Sequence, residues 1–424
     1  MSIIHDNIIP LFIMITFPPT VVFLSTFFAN FNHQFEFTQI NTIVGYFIGS
    51  PMAYLTFLLL FVWAYLWLSL YKGKYDGRES NDGIINYTPK YSKGGILYFS
   101  ISIMIIMIMN GVWKNFSTIY IQNFPYLLQT LNIVSIFICT YYYKKGSELN
   151  LIVNLHNKDT EKSKIFKFYN GILKHYKFTN VDAKQLINSR FSMLVWEISI
   201  ITFGFYYFHN SNSTEINSGL MVNIILQTIY LGKFYGWEEG YFNTLDITMD
   251  KLGFYIIWGC LVYVPFLYTL STYYLVIHPP SLNWAESSCI MLFGLFSILM
   301  NYWVDYQKQI FIEKNGDVII WGSKAKYIET KYTINNEEKN GKLLISGFWG
   351  ICRHSNYLFE LMLSIAWCLP AIRVSFIPFL YPVFMVILLL HRTYRDEKKC
   401  SEKYKMYWDQ YCEIVKYRFI PYIY

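Results

Sequence analysis

An all-α, polytopic membrane protein of about ten transmembrane helices is the fold class this sequence predicts, and three observations carry it. Of the 424 residues, 54% are hydrophobic and only 15% charged, too apolar a balance for a soluble chain of this length. The apolar residues come in charge-free blocks of about 18 to 22, the length a bilayer demands of a helix. The connections between blocks alternate between rich and poor in lysine and arginine, as expected of a chain threading back and forth through a membrane.

The first block, Ile8 to Phe28, lacks a basic leader and a small-residue cleavage site and contains Pro18 and Pro19; it reads as a retained first helix. Further spans fall at 51–71, 95–113, 121–143, 191–208, 218–236, 252–275, 284–303, 357–372 and 376–391. In the seventh, Gly259 and Pro265 predict a break or a re-entrant segment, and backbone opened within a membrane must be received by protein or a cavity. Pro370 and Pro378 predict a tight helical hairpin from the last two spans.

The connections after the second, fourth, eighth and tenth spans hold Lys72, Lys74, Arg78, Lys90 and Lys93, then Lys144 through Lys184, Lys308 through Lys342, and Arg392 through Arg418. The odd connections are nearly bare, with Lys114 and Arg373 the exceptions. The connection after the sixth span does not discriminate, setting Glu238, Glu239, Asp246 and Asp250 against Lys251. This alternation puts both termini and the basic connections in the cytosol. The longest connections, 144–190 and 304–356, have room for a surface helix or a lid but not for an independent core.

Several function classes are disfavoured. The net charge of +7 resides in residues flanking apolar spans, not in a basic stripe interleaved with stacking aromatics, so nucleic acid is not an expected partner. Seven cysteines, several inside apolar blocks, suggest no disulfide framework. Without CxxC or HExxH, no protein-bound metal is expected. Without GxGxxG or GxxxxGK[ST], any nucleotide must be held outside a Rossmann or P-loop cradle.

Three charge-rich stretches carry candidate chemistry: VDYQKQIFIEKNG beyond the eighth span, GFWGICRHSNYLFE entering the ninth, and HRTYRDEKKCSEKYKMYWDQYC leaving the tenth. The ten-span topology brings all three to one membrane surface. Their cations, Lys308, Arg353, Arg392, Arg395 and Lys403, can hold phosphates, a guanidinium bidentately. Trp349, Tyr357, Tyr404 and Tyr411 can stack on a nucleotide, although single aromatics and lysines at such a surface are more often anchors and topology signals. Among the carboxylates Glu360, Asp396 and Glu397, the first carries most weight, because a carboxylate beside an apolar helix is costly and usually has a partner or a role. Glu197, in LVWEISI, reads equally as a structural hydrogen-bonding group or a functional one.

The last stretch fits the pattern HRxxRDExxCxxKYGxxWxxYCxxVPYRxIPxxY at His391, Arg392, Arg395, Asp396, Glu397, Cys400, Lys403, Tyr404, Trp408, Tyr411, Cys412, Val415, Tyr417, Arg418, Pro421 and Tyr424. In this it resembles the sterol reductase family, which includes delta-14, C-24(28) and 7-dehydrocholesterol reductases. The likeness continues upstream through SGFWGICRHSNY, NGDVIIWG and TLDITMDKLGFYIIWGCLVYVPFLYTL, and is loose in the first half of the chain. The WGCLV run, the NGxxxxWG element and Glu360 lean toward the 7-dehydrocholesterol branch.

The resemblance implies a single integral membrane domain, with N-terminal helices over 1–215 and a catalytic and cofactor-binding half over 216–424. It implies residence in the endoplasmic reticulum and an NADPH pocket at the cytosolic face that opens to receive sterol from the bilayer. The cofactor contacts it implies are Lys308, Leu344, Trp349, Asn356, Tyr357, Arg395, Asp396, Cys400, Ser401, Glu402, Lys403, Tyr404 and Tyr411. The reaction it implies is reduction of the C7=C8 bond of 5,7-diene sterols. Because such a bond has no carbonyl to polarise, an acid must develop carbocation character for hydride to attack; Tyr230, Asp396 and Glu360 are the candidates. Delta-14 reduction, methyl transfer from S-adenosylmethionine and an inactive sterol-binding scaffold are the alternatives. Against the family pattern, Ile312 replaces an arginine, with Lys314 a candidate substitute, Ser355 a proline or phenylalanine, Lys405 a glycine, and Lys416 a proline.

Overall fold

The computed structural model describes residues 4–30, 48–77, 80–81, 86–153, 162–211, 216–334 and 337–423. Arg78, Tyr424 and part of the 144–190 connection lie outside them. Helical runs occupy all the predicted stretches: α1 Ile9–Asn30, α2 Pro51–Leu70, α3 Gly95–Val112, α4 Asn115–Val153, α5 Met193–Asn210, α6 Ser218–Gly236, α7 Phe254–Ile277, α8 Trp284–Glu313, α9 Ser355–Cys368 and α10 Leu380–Tyr404. Eight runs among the described residues are long and apolar enough to cross a membrane. The other two are α6, interrupted by Asn223, Gln227 and Lys233, and α9, only 14 residues long.

Local chemistry explains the boundaries. Ser50 caps α2 by accepting a hydrogen bond from the Ala53 N–H at 3.1 Å, with Pro51 at the first helical position where its missing N–H costs nothing. Asn283 and Glu286 form a reciprocal capping box at the start of α8. At the other end, Asn315 takes a φ of +47°, its N–H donating to Ile312 at 3.1 Å while the Gly316 N–H donates to Phe311 at 2.8 Å. This is a Schellman closure, and it gives the Asn-Gly of NGDVIIWG a structural role. The Trp-Gly of the same element supplies two further positive φ values, at Trp321 and Gly322, to a two-residue turn between Ile319–Ile320 and Ser323–Lys324.

The expected break in α7 is absent. Gly259–Tyr268 is wound as a π-helix around Pro265, and the run stays helical from Phe254 to Ile277. Widening the turn absorbs the proline, which would clash with the preceding turn of a regular α-helix. The hairpin of the last two spans is present: α9 packs on α10, with the Trp367 and Tyr381 rings 5.4 Å apart. Among the described residues, sheet is confined to short two-stranded ribbons, the longest pairing Tyr327–Ile334 with Glu337–Leu344.

The chain forms two compact units, Met1–Ile216 with Gln227–Pro279 and Asn217–Leu226 with Pro280–Tyr424. In the first, α3, α4 and α7 all pack against α5, around edge-on aromatic pairs such as Phe124 with Phe203 at 5.0 Å. The connections after the second, fourth and sixth spans meet there. Lys93 pairs with Glu239 at 3.2 Å, buried Arg190 with Glu238, and the Lys184 ammonium donates to the carbonyls of Asp246, Ile247 and Asp250 at 3.1, 2.7 and 2.6 Å. Of the acidic residues that left the sixth connection ambiguous, Glu238 and Glu239 thus meet cations from other basic connections through their carboxylates, while Asp246 and Asp250 meet Lys184 through their backbone carbonyls. Arg373, an exception among the bare connections, pairs with Glu286 at 2.6 Å.

Candidate functional site

In the second unit, α8 continues beyond its predicted span to Glu313. Val304, Gln307, Lys308 and Phe311 recur at the spacing of one helix face, and all but the lysine are buried. The Gln307 carboxamide oxygen accepts from the Phe348 N–H at 3.1 Å, and the Trp349 indole N–H donates to the Val304 carbonyl at 3.0 Å. These bonds hold the short turn Phe348–Ile351 against α8 and set the Trp349 ring under Lys308, whose Nζ lies 4.0 Å from the ring centroid. Leu344 joins the same buried cluster, with Val304, Phe311, Phe348 and Trp349.

The start of α9 supplies the next layer. Asn356 donates to the Asp305 carboxylate at 3.1 Å and accepts through its backbone carbonyl from Asn301 at 3.0 Å. Its side-chain oxygen is buried without a hydrogen-bond partner among the described residues. Tyr357 stacks on His354, ring centroids 5.0 Å apart and planes 7° apart. Ser355, at the position where the family pattern has an apolar residue or proline, donates to the Phe348 carbonyl at 2.8 Å and so ties the two turns together. Glu360 lies further along α9, partly buried.

α10 also outlasts its span. Leu389, Thr393, Asp396, Cys400 and Lys403 follow at steps of four and three, the spacing of one helix face. The Asp396 carboxylate lies 4.0 Å from both the Cys400 Sγ and the His354 Nε2. Burial is the largest influence on His354 and lowers it to about 4, with Lys308, Arg353 and Arg418 acting in the same direction against Asp396. Glu397 accepts from the Arg418 guanidinium at 2.9 Å and forms an ion pair with Arg353 at 2.9 Å. Those two cations are thereby committed within the fold. Lys403 instead lies over rings, 4.0 Å from the centroid of Tyr332 and 4.6 Å from that of Tyr404. Ser401 and Glu402 are exposed, and Arg395 is partly buried.

The final helix, α11 (Met406–Ile414), completes the cluster: Tyr411 is buried and donates to the Trp349 carbonyl at 3.3 Å. Lys405, at the family's glycine position, joins α10 to α11 with φ +51° and ψ −124°, a conformation that favours glycine. Ile312 is 62% exposed and Lys314 caps α8, so neither belongs to the buried cluster. In the first unit, the Tyr230 ring lies 5.9 Å from that of Trp196, whose indole N–H donates to Gln227 at 2.8 Å. Glu197 is fully buried there, with Thr228 as its side-chain neighbour.

Sequence reasoning overlooked Gln307, His354 and Tyr332. Gln307 had a signal, a polar residue at helical spacing between Val304 and Phe311; Tyr332 had none, since its neighbours are set by strand pairing.

These features define a helical membrane protein with a basic and aromatic cluster suited to an anionic, ring-bearing ligand. The chain belongs to the ergosterol biosynthesis ERG4/ERG24 family, whose model matches residues 7–424. It is 40% identical over 244 residues to the 7-dehydrocholesterol reductase of Arabidopsis thaliana, a match covering 57% of this chain and 56% of that protein. It is 32% identical over 357 residues to the 7-dehydrocholesterol reductase of Xenopus laevis, covering 82% and 73%. It is 30% identical over 338 residues to the delta(14)-sterol reductase of Dictyostelium discoideum, covering 76% and 68%. Both bond specificities therefore occur among its relatives.

Proposed function

We propose that this protein reduces the C7=C8 double bond of 5,7-diene sterols with NADPH, in the endoplasmic reticulum membrane and with both termini in the cytosol. Family membership supports a sterol reductase, and the basic connections support the orientation. The observation that carries the cofactor reading is the state of Lys308 and Lys403. Each ammonium lies 4.0 Å from a ring centroid, and among the described residues neither has a carboxylate within ion-pair distance.

The residues fit a dinucleotide phosphate. Ammonium groups resting on aromatic faces gain only about 0.5–1 kcal/mol at exposed sites, so a phosphate offering charge-assisted hydrogen bonds can draw them away. The orphaned Asn356 oxygen is an acceptor suited to a carboxamide, and Trp349, Tyr357 and Tyr404 offer ring faces. Leu344, Cys400, Tyr411, Arg395, Ser401 and Glu402 complete the proposed contact set. When bound, NADPH supplies the hydride.

The chain's own part is to orient, to exclude water and to supply a proton. Asp396, beside Cys400 and neutral His354, orients the reactive end, and Lys308 and Lys403 neutralise phosphate. Protonation of the alkene falls to Tyr230, with Asp396 and Glu360 as the other candidates; a developing carbocation at the ring carbon then accepts hydride. The Asp396→Asn variant is expected to lower turnover on the order of a hundredfold while leaving abundance near wild type, because misplacing a reacting group by about 1 Å has that effect on rate.

Expression in a sterol-making host that lacks delta-7 reduction, followed by sterol mass spectrometry, tests the assignment. Loss of 5,7-dienes and gain of 5-enes is expected. Reduction confined to the delta-14 bond would move the protein to the other specificity found among its relatives, and methyl transfer from S-adenosylmethionine would remove the reductase reading.

A further inference from the structure

The ribbon Tyr327–Ile334/Glu337–Leu344 lies between the Lys308 and Trp349 stretches in sequence, and the family pattern assigns it no role. Its base is anchored: Ile328, Leu343 and Ile345 pack against Trp408, Tyr411 and Val415. Strand side chains alternate between faces, so Ile328, Thr330 and Tyr332 share one side. Fixing Ile328 on the C-terminal segment therefore aims Tyr332 toward α10, where its ring meets Tyr404 edge-on at 5.4 Å and 80° and covers the Lys403 ammonium. Gly341, opposite Thr330, makes room for this: a Cβ there would lie 2.9 Å from the Thr330 hydroxyl oxygen and 2.9 Å from Cε1 of the Tyr332 ring.

We infer that Tyr332 and the ribbon form the outer wall of the site for the adenosine 2′-phosphate end of NADPH, and that Tyr332 is a specificity-determining residue for NADPH over NADH. This rests on the cofactor reading above. NADPH and NADH differ in whether Lys403 exchanges its partners. Among the described residues Lys403 has two ring faces and no carboxylate within ion-pair distance, so a phosphate monoester takes the ammonium by charge-assisted hydrogen bonding. The ring faces it vacates are then open to a purine. NADH brings the purine without the phosphate and leaves Lys403 on its rings, so it gains from the wall far less than NADPH does. No covalent step is involved.

The test uses the purified full-length protein in nanodiscs, with binding of NADPH, NADH and 2′,5′-ADP followed by calorimetry. Tyr332→Ala is expected to weaken NADPH and 2′,5′-ADP about tenfold, equivalent to about 1.4 kcal/mol, and NADH by less than about twofold. Tyr332→Phe should bind like the wild type, because the ring face rather than the hydroxyl acts. Gly341→Ala, which displaces the ring without removing it, should reproduce the order of effects and covers the case in which Tyr332→Ala folds poorly. Lys331→Ala, an exposed strand neighbour paired with Glu338, is the control and should change nothing. Wild-type NADPH affinity in Tyr332→Ala, or an equal loss of NADPH and NADH, overturns this inference while leaving the cofactor reading standing. A wild-type protein that binds no NADPH overturns the reading itself and the inference with it.

Discussion

The two compact units treat the cations beside their apolar helices in opposite ways: two in the first are buried, whereas in the second Lys308 is exposed and Lys403 half-buried. In the first, Arg190 is wholly buried and spoken for: it pairs with Glu238, one contact at 2.9 Å, donates to the Ser92 carbonyl at 3.2 Å, and lies over the Tyr98 ring. Lys184, equally buried, is held by three carbonyls. In the second, Lys308 and Lys403 rest on aromatic faces. A cation whose partners are all internal has had its desolvation offset by the fold and serves architecture. A cation held only by a ring has a weak partner and can change it, which is what a reversible anion site needs.

That contrast can be broken by measurement, and the largest effect is expected at the paired end. Glu238→Gln removes the counter-charge from buried Arg190 and should destabilise the protein by about 3–5 kcal/mol, as removing one partner of a buried pair does. Thermal unfolding in detergent reads this directly, and an unchanged midpoint would mean that the pair is not what holds these connections together.

A second effect concerns His354, which burial holds at about 4 against an ordinary 6.5. The unfolded chain takes up this proton at higher pH than the folded one. The contribution is therefore fully present above about pH 6.5 and is lost as pH falls through about 4. His354→Gln should flatten the fall in melting temperature across that window; an equally steep fall in the variant would assign the dependence to other groups.

At the ring-held end, Lys308→Ala should weaken NADPH binding about tenfold, the value of roughly one charge-assisted hydrogen bond. The melting temperature should barely move, since only a cation–π contact of about 0.5–1 kcal/mol is lost. A large drop in stability with intact binding would place Lys308 with Arg190 as an architectural cation.

The smallest effect is expected at Lys405. Its φ of +51° is strained for any residue with a Cβ, and Lys405→Gly should raise stability by about 1 kcal/mol. Hydrogen exchange followed over Leu380–Tyr404 and Met406–Ile414 would resolve it, and a loss of stability would show that the lysine side chain outweighs its backbone strain.

How much of this was legible beforehand depended on the range of the interactions involved. The spans were readable because a bilayer imposes a length on every helix, and the stretches holding Lys308, Trp349, Asp396 and Tyr411 stood out by their charge and by resemblance to the sterol reductase pattern. The glycine-to-lysine change at 405 was visible as a departure, and its meaning became clear only with the positive φ. Local periodicity could not show that α8 and α10 run on beyond their apolar spans, because polar residues continue those helices by packing on Phe348, Trp349 and His354. It could not show that a π-turn rescues Pro265.

Composition, block length and charge alternation by themselves determined the membrane class and the order of helices, since each is a property of the chain against its solvent. Which cations are locked and which remain available was decided only by the tertiary structure. Arg190 and Lys403 are alike as sequence letters beside an apolar span. They differ because Glu238, 48 residues away, closes on one, while Tyr332, delivered by a strand register, lies over the other. Partners that far along the chain are brought by packing, and no local pattern records them.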